Sequence, residues 1–438
     1  MVVKIDTPSG CISRVNDFRA GVFKEIVNAG IRQEWFGASL KDVKKLALIC
    51  AASRSGSSLL FAILKRCPHI YSLSGEETPF YKLNGGSLNG NLSRDFLSDF
   101  SLPVSAGDIK NNAELLRQYA DDLILRFPLQ WPQIDFSYSF LRRAITLALD
   151  AYLKGRKDFD KEHFYLELLA RLRRRYRQIN PYYYDININK VRRKFPGLRV
   201  PSGPPNDTVM IEEPPFILLS PVKKIDKADL AEKTLLLKAS VNCYKIDFIR
   251  KIFPNARIRI IYLTRNPLSS INGLYDGWLY RGFFSEKLKR LNIKGYSDIY
   301  PWGRQWWKYD LPSEWHSYTG KSLQEVCAFQ WYSANRAVLE YVRKGKVKTC
   351  DVKYENIAFD FKSRRREIKR IMHFIGIRNH GLSGLNLNNF PLVQATRAPK
   401  PYRWKTRKEI LLPFLEQPHI SDMSIELGYG KEPDKKWL

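Results

Sequence analysis

Residues 44–68, KKLALICAASRSGSSLLFAILKRCP, carry the reading on which the fold turns. Leu46-Ala47-Leu48-Ile49-Cys50-Ala51 is a short apolar run of the kind buried in a parallel sheet. Ser53 to Ser58 are small or polar around Gly56, apart from Arg54. Leu59, Leu60, Ile63 and Leu64 then recur at helical spacing until Pro68 ends the helix. A strand, a small-residue loop and a helix in this order bring backbone N–H groups and a helix dipole to bear on an anion. Gly56 lets the main chain approach an oxyanion, Ser55, Ser57 and Ser58 line the loop with hydroxyls, and Arg54 can neutralise a phosphate oxygen. An ordinary tight turn uses the same residue types. The nucleotide-hydrolase loop, GxxxxGK followed by Ser or Thr, is absent.

The pattern repeats downstream. Residues 234–237 read as a strand, 246–253 as a short helix closed by Pro254, and 257–263 as a strand rich in β-branched residues. That strand ends at Thr264-Arg265-Asn266-Pro267, where Asn is a good N-cap and Pro a good first helical residue. Residues 347–354 read as a further strand and 364–375 as an amphipathic helix. Strands alternating with helices predict an α/β fold, a P-loop-type parallel sheet flanked by helices. Residues 141–153 and 164–176 read as helices, and the proline- and glycine-punctuated 196–215 as a loop. The expected organisation is an N-terminal extension (1–40), an α/β core (41–83 and 231–438), and a largely helical insertion (84–230) covering the acceptor site.

Several short motifs in fixed order resemble the PAPS-dependent sulfotransferases, which use 3′-phosphoadenosine-5′-phosphosulfate. Arg54-Ser55-Gly56-Ser57-Ser58-Leu59-Leu60, Cys67-Pro68-His69 and Ser74-Gly75-Glu76-Glu77-Thr78 are similar to the family's 5′-phosphosulfate loop. The last of these looks like the tyrosylprotein branch, while the loop's spelling is similar to carbohydrate sulfotransferases. The resemblance implies that Arg54 holds the phosphosulfate and that Glu77 is the catalytic base; Glu76 and Glu77 also read as a solvated acidic pair. Leu235-Leu236-Leu237-Lys238-Ala239-Ser240 resembles the strand-end motif whose lysine assists the leaving phosphate, a role falling to Lys238. Phe253-Pro254-Asn255-Ala256 with Leu263-Thr264-Arg265-Asn266-Pro267 resembles the 3′-phosphate motif and assigns that group to Arg265. Val352-Lys353-Tyr354-Glu355-Asn356 and Phe374-Ile375-Gly376-Ile377 complete the series. One departure stands out: the family's serine eight residues after the arginine is here Gly273, so Ser269 or Ser270 is expected to serve. Arg403, Lys405 and Arg407 fall where the family often closes a basic loop over the 3′-phosphate; a solvated basic strip reads equally well.

These assignments imply in-line transfer of a sulfuryl group, with cations and N–H donors on the leaving side and a base on the acceptor side. Sulfuryl carries less charge than phosphoryl, so arginine and lysine can replace Mg²⁺ and no metal is expected. The formal charge of +29 over 438 residues favours polyanionic partners, and a phosphorylated cofactor is one such. A P-loop small-molecule kinase lacks its lysine here. A nucleic-acid-binding protein, suggested by basic clusters at 171–177 and 192–194, lacks any helix-turn-helix, zinc or RNA-recognition signature. Six scattered cysteines suggest neither zinc nor a disulfide framework, and no apolar stretch predicts a signal peptide or membrane span, so a cytoplasmic location is expected. The expected acceptor is a hydroxylated small or mid-sized metabolite; tyrosylprotein and carbohydrate acceptors remain the alternatives.

Overall fold

The computed structural model describes residues 7–28, 40–73, 75–83, 101–102, 112–153, 159–206, 209–345, 347–377, 385, 387–388, 393–397, 399–432 and 437. Ser74 of the acidic-pair motif and residues 84–100 of the expected insertion lie outside them. The chain forms two compact units, Met1–Ser39 with Leu73–Lys227, and Leu40–Ser72 with Ala228–Leu438. In chain order the strands are β1 (Lys45–Cys50), β2 (Ile70–Ser72), β3 (Ser101–Leu102), β4 (Lys223–Lys224), β5 (Thr234–Lys238), β6 (Arg257–Thr264), β7 (Phe284–Lys287), β8 (Trp306–Lys308) and β9 (Lys348–Lys353).

The second unit is an α/β layer structure. Its five parallel strands run in the order β2-β5-β1-β6-β9. Strand β1 is central, and Leu46 to Cys50 are buried on both faces, which is why the run carries no polar alternation. Ile49 lies opposite Lys238 of β5 on one side and Ile261 of β6 on the other. Parallel strands need crossovers, and helices Ser57–Leu64, Ile246–Ile252, Pro267–Leu279, Leu323–Arg343 and Phe361–Phe374 flank the sheet. Leu60, Ile63, Leu236, Ile261, Val352 and Ile371 share one core cluster. Helix Leu323–Arg343 begins at a capping box in which Ser322 and Glu325 satisfy each other's backbone N–H groups. An antiparallel pair, β7 and β8, lies outside the parallel sheet. The carboxyl ends of β1, β5 and β6 open onto three successive turns, the region where open α/β sheets bind ligands.

The first unit is largely helical. Helices Pro8–Asn28, Ala113–Gln130, Tyr138–Leu153 and Lys161–Leu172 pack around an aromatic core that includes Phe127, Trp131, Phe136, Phe164 and Tyr184. Strands β3 and β4 pair antiparallel, Ser101 opposite Lys224. The helix expected over 164–176 stops at Leu172, because the Arg173 guanidinium donates to the carbonyls of Arg177 and Ile179 and turns the chain. Residues 8–28 form a helix of this unit: Cys11 Sγ and Arg14 Nη2 both donate to the Pro132 carbonyl at 3.0 Å. All six cysteines are buried and no disulfide joins them. Among the described residues no helix is long and apolar enough to cross a membrane.

Candidate active site

The turn after β1 is shaped by one residue without a side chain. Gly56 has φ +93° and precedes the helix Ser57–Leu64, whose first backbone bonds run from the Leu59 and Leu60 N–H groups to its carbonyl. A Cβ there would lie 2.2 Å from Cδ2 of Tyr354, so the ring packs directly on the glycine. Arg54 also adopts positive φ, +67°, a conformation costing a non-glycine residue about 1–2 kcal/mol. Two contacts hold it there. Arg265 Nη1 donates to the Arg54 carbonyl at 3.1 Å, and Gly273 leaves room for the Arg54 Cβ, which a Cβ at 273 would meet at 3.3 Å. The site where the resembled family places its serine is therefore wedged against both arginines, 3.8 Å from Arg265 Nη1.

The loop's side chains are occupied from three directions. Arg54 donates to the Gln394 carbonyl (2.7 Å) and to Thr396 Oγ1 (3.1 Å), with its guanidinium 5.3 Å above the Phe283 ring. Ser58 Oγ donates to Gln394 Oε1 at 2.9 Å. Ser55 is buried, its hydroxyl 3.4 Å from that of Ser270, which also donates to the Arg265 carbonyl. Ser269 contributes its backbone N–H to the Asn266 cap at 2.8 Å. Ser270 thus joins the two turns. Ser57 is the first residue of its helix, and Lys238 ends β5, largely buried, opposite Ile49.

The turn after β6 is fixed by a buried carboxylate. Glu355 Oε1 accepts from the Asn266 backbone N–H (3.0 Å) and Nδ2 (2.9 Å), and its Oε2 accepts from Tyr429 Oη (2.8 Å). Its neighbour Tyr354 lies against Gly56 and 4.4 Å below the Arg265 guanidinium. The tyrosine and glutamate that the sequence set at the end of β9 thus join the glycine of the turn after β1 to the second turn.

A second layer of cations lies on the helix Pro267–Leu279. Arg403 and Arg407 donate to the two oxygens of Asp276 at 2.6 and 2.8 Å, and Arg407 also donates to Asn272 Oδ1. Lys405 instead covers the Tyr402 ring at 4.2 Å. Burial pushes the Arg403 guanidinium below its ordinary range; Asp276 opposes this, and the nearby charges of Arg265, Arg54 and Arg397 add to it. The Nε–H groups of Arg54 and Arg265 are buried with no acceptor. Asp276 escaped the sequence reading, since its partners lie 127 and 131 residues away. Among the described residues no cluster of His, Cys, Asp and Glu is placed to hold a metal ion.

Glu76 and Glu77 belong to the first unit. Glu77 is only 1% exposed, whereas Glu76 is half-buried, which separates the pair. The Glu77 carbonyl accepts from the Tyr81 N–H at 3.2 Å, opening the helix Thr78–Leu83. Gly75 is closely packed: a Cβ would lie 2.6 Å from Cδ1 of Ile217 and 2.7 Å from Nη2 of Arg126, itself paired with Glu212 at 2.6 Å.

No family model and no curated protein sequence matches the chain. Among solved structures it is similar to a sulfotransferase domain from the curacin biosynthetic pathway, at 12% identity over 88% of this chain and 98% of that one, with a TM-score of 0.38. A sulfotransferase domain from the Synechococcus PCC 7002 olefin synthase gives 13%, 90%, 97% and 0.38 for the same quantities. A sulfotransferase from Mycobacterium avium gives 11%, 92%, 84% and 0.35.

Proposed function

We propose that this chain is a PAPS-dependent sulfotransferase acting on a hydroxyl of a small or mid-sized metabolite. The observation that carries the reading is that Arg54 and Arg265 meet at the turns after β1 and β6, their buried Nε–H groups lacking acceptors, with Arg403 near enough to both to feel their charge. Positioned like charges of this density suit a polyanion. PAPS has anionic groups at both ends of its nucleoside, and two turns with separate arginines fit such a ligand.

In this reading the backbone N–H groups of residues 56–58, Arg54 and Lys238 take up the charge that develops on the leaving phosphate. Arg265 and Ser270 hold the 3′-phosphate, with Ser269, Lys405 and Arg407 flanking it. Glu77 removes the proton from the acceptor hydroxyl. The bond from acceptor oxygen to sulfur forms as the bond from sulfur to the phosphate oxygen breaks, giving a sulfate ester and adenosine 3′,5′-bisphosphate (PAP).

Thermal unfolding with PAP, and separately with ATP and Mg²⁺, tests the nucleotide assignment. PAP at 100 times its Kd should add about 2.7 kcal/mol of stability, with ATP–Mg²⁺ far weaker. An unchanged melting temperature at millimolar PAP refutes it. Transfer from labelled PAPS across phenols, sugars, aliphatic alcohols and tyrosine peptides then identifies the acceptor class. Sulfation confined to acidic tyrosine peptides would overturn the metabolite assignment.

A further inference from the structure

Asp310, two residues beyond β8, is 1% exposed. Its Oδ1 accepts from Ser53 Oγ at 2.8 Å and its Oδ2 from Tyr244 Oη at 2.9 Å. Ser53 opens the loop after β1, and Tyr244 ends the 3-10 turn Ser240–Tyr244 that follows Lys238 and β5. These strands are neighbours in the sheet. One buried carboxylate therefore ties the loop after β1 to the turn that follows Lys238 and β5.

The carboxylate is itself aimed by a chain of contacts. Trp307 Nε1 and Gln330 Nε2 donate to the Asp310 carbonyl at 2.9 and 2.7 Å, and Trp278 Nε1 fixes Gln330 through its Oε1 at 2.9 Å. Tyr309, just before Asp310, has φ +63°, and its hydroxyl fills the space beside Gly277, where a Cβ would lie 1.7 Å from that oxygen. Strain of this kind persists only where the surroundings over-determine it. Both carboxylate oxygens already accept from hydroxyl donors, so Asp310 is poorly suited to act as a base.

We propose that Asp310 is a positioning residue for anion binding: by holding Ser53 and Tyr244 it presets the phosphate loop and the Lys238 turn before the ligand arrives. This rests on the anion-binding reading of the loop and is independent of the acceptor. The test measures binding of PAP and of inorganic pyrophosphate to the full chain, below its melting temperature, for wild type, Asp310→Asn, Ser53→Ala, the double variant and Tyr244→Phe. Each of the first two changes should weaken PAP binding by roughly 10- to 100-fold, the range for one hydrogen bond to a charged group. The double variant should fall well short of the product of the two single effects, because both changes act on the same link, one removing its hydroxyl donor and the other its charge. The KM for PAPS should rise in step while that for the acceptor stays put. Variants that melt earlier yet bind PAP within twofold of wild type would make Asp310 a packing residue and overturn the proposal. Should Asp310→Asn fail to fold, Tyr244→Phe decides: it keeps the Ser53 link, and binding within twofold of wild type also overturns it. If wild type ignores PAP but binds pyrophosphate, and the variants weaken that binding, the sulfotransferase reading falls and the positioning role stands. Wild type binding neither probe removes both.

Discussion

Replacing Gly56 by alanine adds one methyl group at the start of the helix Ser57–Leu64. The backbone there has φ +93°, and the new Cβ would lie 2.2 Å from Cδ2 and 2.4 Å from Cε2 of Tyr354. Left-handed backbone costs an L-residue about 1–2 kcal/mol, and forcing a packed ring aside costs about 1–3 kcal/mol more. Gly56→Ala should therefore lower the unfolding free energy of the second unit by about 2–5 kcal/mol. Equilibrium urea unfolding followed by tryptophan fluorescence measures this. Tyr354→Ala removes the steric part, so adding Gly56→Ala in that background should cost only the ~1–2 kcal/mol of backbone strain. The displaced ring also supports Arg265 from 4.4 Å, so PAP binding should weaken together with stability in the single variant. A single-variant cost below ~1 kcal/mol would refute the reasoning, since strain alone should exceed it. So would a full penalty that persists without the Tyr354 ring.

Other changes separate the remaining roles. Glu77→Gln should cut turnover by ~10²- to 10⁴-fold with PAP affinity nearly unchanged, while Glu76→Gln, measured in the same steady-state assay, should leave turnover close to wild type. If Arg54 and Lys238 supply the positive charge as proposed, activity should survive EDTA; loss on chelation that Mg²⁺ restores would favour a kinase. Lys308 is fully buried, donates to the Tyr280 carbonyl and lies 4.6 and 4.9 Å above the Phe284 and Trp302 rings; burial holds its amine well below the ordinary lysine range. The unfolded chain then binds a proton that the folded one lacks, so stability should rise with pH by up to ~1.4 kcal/mol per unit between the depressed value and that of a free lysine. Lys308→Met should remove that slope in urea titrations at successive pH values.

The central strand-loop-helix was legible because β1 is buried on both faces and leaves an unbroken apolar run, followed by a glycine among small residues. The turn at Asn266-Pro267 was legible for a similarly local reason, since both residues speak to the backbone beside them, and Asn266 does accept from the Ser269 N–H. Strand β2 has three residues, too few for a period to register. Helix Ala113–Gln130 hid behind Pro128 and behind Gln118, Asp121, Asp122 and Arg126, all buried polar residues that erase the expected stripe. The same holds at the site. Gly56 and Arg265 are marked by the loop and strand end they sit in, although both also pack on Tyr354 from far along the chain, whereas Asp276 and Asp310 carry no such local mark and pair with residues more than 60 positions away. Nothing near them in sequence distinguishes them from surface carboxylates.

The six buried cysteines turn the chain into its own reporter of opening. Cys11 lies in the helical unit, and Cys50, Cys67, Cys243, Cys327 and Cys350 are spread through the α/β unit. Burial raises the thiols of Cys67, Cys327 and Cys350, so little reactive thiolate is present even when a reagent is near. A thiol-specific alkylating agent can then modify each site only through the fluctuation that exposes it, and the modification rate measures the free energy of that fluctuation. Peptide-resolved mass spectrometry would read the two units in one experiment, with Cys11 for the first and Cys50, at the heart of β1, for the second. A single cysteine introduced on the surface could equally be labelled in the folded protein without first removing any native thiol.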